Sequence, residues 1–439
     1  MERLFALLLL SFLFCACNED STIDIPSQTD STNRTVLVYM AAQNSLGKHG
    51  NHRTDSAEIM SGREFMNTGQ ELLMLIDDDM PPRLYRVNNQ TIKPQLLKRW
   101  SDDPSSTDPH FMSEVLSLTR QYAPAEEYGL VLWSHADGWI PSCPDDDLAG
   151  DWEQYGLHLK PFSFGVDSGP NGHMSDKGEQ MEVGELAQAM NEVGFHSKYV
   201  FFDACLMQNI EVAYALRRVT DYVVASPIAT PAAGAYYKHL LRNGLFSNNP
   251  TDIARTYLED VRRPELEGDY SDFGLCISCI QTDRLEYLAQ VLRQALPYST
   301  LANGNSPKMQ FTQEVDGKPE TVNVLNYQAY SIFYSYRPHN YDALQALRCV
   351  LPSDSYAEIK LALDNVVTYY GATSKFWIGP SAFIFQSVPT QTGDYRAVSM
   401  FIPQDVYSQH VFDTTCGDLN VCFRKTEWYR DAGFNAIGW

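Results

Sequence analysis

Basic charge is scarce in this chain: 33 Lys and Arg stand against 55 Asp and Glu in 439 residues, a formal net charge of −22. Such an excess of negative charge repels phosphate backbones, so nucleic acid is excluded as a partner class. A hydrophobic share of 44% is normal for a globular protein, which excludes a disordered or collagen-like chain. Past the first seventeen residues no apolar run approaches the length of a bilayer span. There is no H-E-x-x-H, no G-x-x-x-x-G-K-[ST], no G-x-S-x-G and no EF-hand loop, so the zincin, P-loop, serine-hydrolase and EF-hand readings fall away. Cys276-Ile-Ser-Cys279 lies in an apolar, strand-like run without a second C-x-x-C or a His pair, which argues against zinc. No metal ligand set is assigned.

What is present begins at the N-terminus. Glu2 and Arg3 precede an apolar run from Leu4 to Phe14, followed by Cys15-Ala16-Cys17. The run has the length of a signal-peptide core. Small Ala16 before Cys17 resembles a bacterial lipobox, although Phe14 stands where Leu or Val is usual. Residues 1–17 are therefore expected to be a lipoprotein signal with Cys17 as the lipidated residue, a plain secretory signal being the other reading. Residues 18–34 read as a polar, flexible tether. Glu19-Asp20 directly after Asn18 resembles the surface-export signal of Bacteroidetes lipoproteins. These features predict an exported outer-membrane lipoprotein, surface-exposed and held to the membrane by its lipid. Of the remaining seven cysteines, Cys416 and Cys422 bracket a Gly-Asp turn at a spacing that suits a small disulfide.

Buried strands alternate with helices over residues 35–300. Thr35–Ala42, Glu71–Asp77, Tyr128–Ser134, Ser197–Phe202, Asp221–Ala225 and Phe273–Ile280 are apolar runs of strand length. Leu84–Val87 and Thr91-Ile92 predict a hairpin turning at Asn88-Asn89. Helices are predicted over 108–122, over 183–193 closing at Gly194, from about Leu206, and over Leu285–Leu292. Ala136 to Gln180 reads as one long functional loop. The alternation predicts an α/β fold, a mostly parallel sheet with helices on both faces. From 301 to 439 the pattern changes: a polar stretch, helical patterns over 323–370, then strands at 381–388 and 395–402. This is read as a C-terminal α+β accessory region.

Ligands of open α/β sheets bind beyond the carboxyl ends of the strands. Two neighbouring predicted strands end there in reactive side chains, His135 and Cys205. If Cys205 opens a helix, the helix dipole favours its thiolate. A thiolate and an imidazole are the minimum machinery for acyl transfer, and backbone N–H groups at Cys205 and Ala136 are candidates for an oxyanion hole. Spacing alone leaves open a merely buried cysteine and a merely satisfied histidine.

Asp203-Ala204-Cys205-Leu206-Met207-Gln208-Asn209-Ile210-Glu211-Val212-Ala213 resembles the nucleophile segment of the clostripain-like cysteine peptidases, relatives of gingipains, legumains and caspases. Leu130–His135 with Gly138-Trp139 resembles the family's histidine segment, and Val36–Leu46 its first strand and loop. Val398–Pro403 and Trp428 are similar to its C-terminal portion. The resemblance implies a caspase- or gingipain-like fold, with Cys205 as nucleophile and His135 as general acid/base in a dyad. It implies that Asp203 lines the pocket for an Arg or Lys before the scissile bond, as a carboxylate would. An N-cap of the following helix is the other reading of Asp203.

Three departures from the pattern bear on specificity and processing. Ala233 stands where the family carries a second pocket acid, a charged contact of about 1.5–3 kcal/mol, so a relaxed basic preference is expected. Ala136 stands where Gly is usual after His. Lys160 and Lys177 are the basic candidates for self-cleavage between His135 and Cys205, with Lys177-Gly178 the more exposed. The reading is thus an exported, lipid-anchored cysteine endopeptidase, expected to be a monomer acting on peptide or protein substrates. No cofactor is required. Calcium is left open at the acidic runs Asp77–Asp79 and Asp145–Asp147. The alternative is a catalytically weak homologue used as a surface peptide- or glycan-binding lipoprotein.

Overall fold

The computed structural model describes residues 32–140, 164–262, 274–315, 317–327, 335–377, 394–408 and 419–439, with strand pieces at 21–22, 329–332 and 385–387. The expectations for Cys17, the signal, most of the tether, Asp145–Asp147, Lys160 and the Cys416–Cys422 pair lie outside these residues.

A ten-stranded sheet organises the chain. Its strands in chain order are β1 (Ser21–Thr22), β2 (Thr32–Ala41), β3 (Gln70–Asp77), β4 (Arg83–Val87), β5 (Gln95–Arg99), β6 (Ala125–Trp133), β9 (Tyr199–Asp203), β10 (Tyr222–Ala225), β11 (Cys276–Gln281) and the Val367–Ala372 strand. Between β6 and β9, a small separate hairpin pairs β7 (Phe164–Asp167) with β8 (Glu179–Met181). The spatial order is β1-β5-β4-β3-β2-β6-β9-β10-β11 and then Val367–Ala372. The central five, β3-β2-β6-β9-β10, are parallel, and antiparallel strands close both sides.

The side-chain period of β2 shows why both faces are covered. Leu37, Tyr39 and Ala41 enter one buried cluster, and Val36, Val38 and Met40 enter another. All six are fully buried. Burial of each large apolar side chain stabilises by about 1.5–3 kcal/mol, so neither face tolerates solvent. Helices α3 (Pro109–Tyr122), α4 (Val183–Glu192), α5 (Ile210–Leu216) and α8 (Leu285–Ala295) cover the first face. Helices α2 (Asn51–Gly62), α6 (Tyr237–Asn243) and α7 (Thr251–Val261) cover the second, and α1 (Ser45–Lys48) is one turn at the end of β2.

Local chemistry sets the helix ends. Asp108 caps α3 by accepting the His110 N–H, with Pro109 at the first helical position. Glu182 and Glu185 form a reciprocal capping box on α4, and left-handed Gly194 follows its end.

Some expectations need correction. The hairpin after Asp77 pairs β4 with β5, so Thr91 and Ile92 belong to its turn; Asn88 accepts the Gln90 and Thr91 N–H groups there, and this Asx geometry outweighs the β-branched pair. The predicted long loop contains the β7–β8 hairpin. Helix α5 starts at Ile210, five residues after the cysteine, because Leu206 takes a left-handed φ of 63° that no helix continues. Within 323–370, helices occupy Ala343–Val350 and Ser353–Val366, and Val367–Ala372 then joins the main sheet beside β11. The large buried cluster runs from β2 through to Trp428 and Trp439, so the C-terminal residues pack into the same core.

Candidate active site

Four adjacent parallel strands deliver the site. Ser45 follows β2, His135 follows β6, Cys205 follows β9 and Thr230 follows β10. Trp133 pairs with Asp203 across β6 and β9, so His135 and Cys205 each stand two residues beyond the same rung.

The histidine loop is fixed from below. Asn44 donates to the Ala41, Val166 and Ser134 oxygens, and Ser134 Oγ donates to Ala41 O. Gly165 N–H donates to the His135 carbonyl, and Ala136 bridges to Phe164. Ala136 is not among the residues with positive φ, so the glycine usual at this place is not needed for backbone shape. The His135 ring is held at Nε2, 3.0 Å from Ser45 Oγ and 3.2 Å from Asp176 Oδ1. Among the described residues its Nδ1 has no protein partner. Asp176 also accepts the Ser45 backbone N–H at 2.9 Å. Burial raises its carboxyl, but His135 and Ser45 outweigh that and hold it well below the usual carboxylate range.

Cys205 Sγ is half-buried and accepts the Thr230 N–H at 3.3 Å, with Thr230 Oγ1 at 3.7 Å. No hydrogen bond joins Sγ to His135. Burial pushes the thiol up, the Thr230 N–H opposes this, and the charges of Asp137 and Asp203 add to it. The expectation of a dipole-stabilised thiolate therefore fails here, since α5 begins too far along the chain. Cys205 and Ala136 both have backbone N–H groups that donate to no protein acceptor among the described residues.

Asp203 is 5% exposed, and it does not cap α5. It anchors the loop after β10 instead: its oxygens accept the Ala235 N–H at 3.2 Å and the Tyr237 hydroxyl at 3.0 Å. Burial pushes it up to about 6 despite these two donors. Gly234, with φ 63°, lies so close that a Cβ would stand 2.9 Å from Asp203 Oδ2. Ala233, the residue just before Gly234, is half-buried and carries no charge. Two further acids feel the Asp203 charge: Glu58, which accepts the Tyr237 N–H, and buried Asp55, which accepts the Trp133 indole N–H at 2.7 Å.

The nucleophile segment is also tied to the C-terminal residues. Ser399 N–H donates to Gln208 O, Asn209 Nδ2 to Ser399 Oγ, and Phe401 N–H to Glu211 Oε1. Trp139 packs on Phe401 with ring centroids 5.1 Å apart. Lys177 is exposed, but Gly178 is pressed on Asp167, whose carbonyl a Cβ would meet at 1.9 Å. Asp77 is fully buried and pushed well up by burial and by Asp167. Among the described residues no group of three His, Cys, Asp or Glu is placed to hold a metal ion.

Ser45, Asp176 and Thr230 were not singled out from the sequence. Ser45 and Thr230 carry one signal, a position just past the end of a parallel strand; Asp176 comes from a loop and carries none.

No curated protein sequence matches the chain. A secreted C11 cysteine protease from Bacteroides thetaiotaomicron, solved with an irreversible peptide inhibitor, is similar in fold, with TM-score 0.70 and 24% identity over 92% of this chain and 99% of that one. An inactive zymogen C11 protease from Parabacteroides distasonis is similar at TM-score 0.67 and 22% identity, over 92% and 99%. The family model of Peptidase_C11, the clostripain family, matches residues 38–157 and 162–426. Spanning most of the sequence, that match shows that the chain belongs to the clostripain family of cysteine peptidases.

Proposed function

We propose that the chain is an exported endopeptidase in which Cys205 is the nucleophile and His135 the general acid/base. The observation that carries this reading is the shared rung: Trp133 pairs with Asp203, and the two reactive side chains follow it at equal distance on neighbouring strands. His135 takes the thiol proton as Sγ attacks the scissile carbonyl, and returns it to the leaving amine. The unengaged N–H groups of Cys205 and Ala136 take the oxyanion, each donor of this kind contributing about 10²–10³ in rate. Water then hydrolyses the thioacyl enzyme. This chemistry needs no cofactor, and calcium, if it acts, acts on structure.

Asp203 forms the floor of the pocket for the residue before the scissile bond. Its two resident donors leave an ionised carboxylate able to take a guanidinium or ammonium as a further partner. Ala233 supplies no second charge, so Arg and Lys are preferred without being required. Self-cleavage falls at Lys177 or Lys160; at Lys177 the loop must first lift Gly178 from Asp167. Cys17 carries the lipid that holds the protein, as a monomer, at the outer surface of the outer membrane. No described helix is long and apolar enough to cross a membrane.

The test is cleavage of a fluorogenic peptide library by residues 18–439, beside Cys205→Ala and His135→Ala, with calcium and chelator arms. Cleavage by the unmodified protein alone supports the assignment. Activity surviving in Cys205→Ala removes it. Absence of cleavage in all arms favours a binding role.

A further inference from the structure

We propose that Asp176 is a positioning residue for His135, a third member that turns the dyad into a Cys205–His135–Asp176 relay with Ser45 as its brace. This rests on the dyad reading above.

The argument starts from what a carboxylate can accept. Asp176 Oδ1 lies 3.2 Å from His135 Nε2 as an ion-pair contact, and an ionised carboxylate has no proton to offer, so this contact favours the tautomer with the hydrogen on Nε2. In the neutral ring the lone pair is then on Nδ1, the one nitrogen of His135 that meets no protein group among the described residues. Nδ1 is thus the atom left to exchange a proton with Cys205. Ser45 fixes both partners at once: its backbone N–H holds Asp176 Oδ1 at 2.9 Å, and its Oγ lies 3.0 Å from Nε2. Asp176 stays ionised across neutral pH, which the tautomer requires.

The segment that delivers Asp176 is itself constrained. His173 and Met174 take left-handed φ values of 55° and 54°, and Met174 Cε packs against Gly47 in the turn that follows Ser45. Strain of this kind persists only where surrounding contacts over-determine it. Here it aims a loop carboxylate at the rear of a histidine.

The experiment compares Asp176→Asn, Asp176→Glu and Ser45→Ala in residues 18–439, using the best fluorogenic peptide from the library and peptide-mapped iodoacetamide labelling of Cys205. Asp176→Asn is expected to lose kcat by about 10²–10⁴, as wrong-tautomer variants of such relays do. KM and the thermal midpoint should hardly change, and Asp176→Glu should recover part of the loss. Full activity in Asp176→Asn, or a rise in activity, overturns the proposal; a rise would make Asp176 a latch on the uncut loop. A large KM change with kcat preserved also overturns it. If Cys205→Ala still cleaves, the dyad reading itself has failed; if Cys205→Ala is dead and Asp176→Asn is not, only the relay has.

Discussion

The Thr230 backbone N–H points at Cys205 Sγ from 3.3 Å, the closest polar contact the sulfur makes among the described residues. This donor favours the thiolate, yet burial outweighs it and keeps the thiol above its ordinary range. Peptide-mapped iodoacetamide labelling against pH should therefore give Cys205 a midpoint higher than the value of about 8.5 for an unperturbed cysteine. A midpoint below that value would mean that the thiolate is already formed in the free enzyme. Thr230→Val keeps the N–H and should alter labelling by less than about threefold, because a sulfur–hydroxyl contact at 3.7 Å is weak.

Gly138 joins the two reactive loops. With φ 86°, a Cβ there would lie 2.5 Å from Asn209 Oδ1 and 2.9 Å from the Leu206 carbonyl oxygen. Gly138→Ala should destabilise by about 1–2 kcal/mol from backbone conformation alone, with further loss as the loops part. Paired measurement of thermal midpoint and kcat checks this. Both should fall, and unchanged values would show that the contact does not bind His135 and Cys205 into one unit.

Asp203 links pH to selectivity. Its carboxyl is held up to about 6, so below that pH it is neutral in the free enzyme. The ratio of kcat/KM for Arg or Lys substrates to that for neutral ones should shrink as pH falls through about 6. Asp203→Asn should have the small ratio at every pH. A pH-independent ratio in the unmodified protein would remove Asp203 from the pocket.

Glu211 makes stability pH-dependent in the opposite sense to a salt-bridged acid. Burial pushes it from 4.5 up to about 8 while it accepts the Phe401 N–H. Between those values the folded chain holds a proton that the unfolded chain has released. Its contribution is full below 4.5 and is lost as pH rises through about 8, by at most about 1.4 kcal/mol per pH unit. Glu211→Gln can still accept the Phe401 N–H, so its midpoint should gain on the unmodified protein as pH rises from 5 to 8. A constant difference would show that Glu211 is already charged.

Much of the fold was legible because burial on both sheet faces leaves continuous apolar strands. Val36 to Ala41, Leu130 to Trp133 and Tyr199 to Phe202 each read as what they are. His135 and Cys205 were legible for the same reason, as side chains at the ends of such strands. Failures fell where tertiary contacts override local pattern. Leu206 belongs to an apolar helical series, but its left-handed backbone delays the helix to Ile210. Asp203 has the composition of an N-cap, yet its partners Ala235 and Tyr237 lie more than thirty residues on. Asp176 stands among Gly, Ser and Asp residues that all read as turn formers, and only the folded loop brings it to His135.

The central claim is that Cys205 forms the covalent bond to substrate, and the most direct measurement is the intact mass of residues 18–439 after treatment with a peptidyl chloromethyl ketone ending in Lys. The account expects one adduct, mapped to Cys205, formed far more slowly in His135→Ala and not at all in Cys205→Ala. An adduct on another residue, or equal rates in the unmodified protein and His135→Ala, would contradict it.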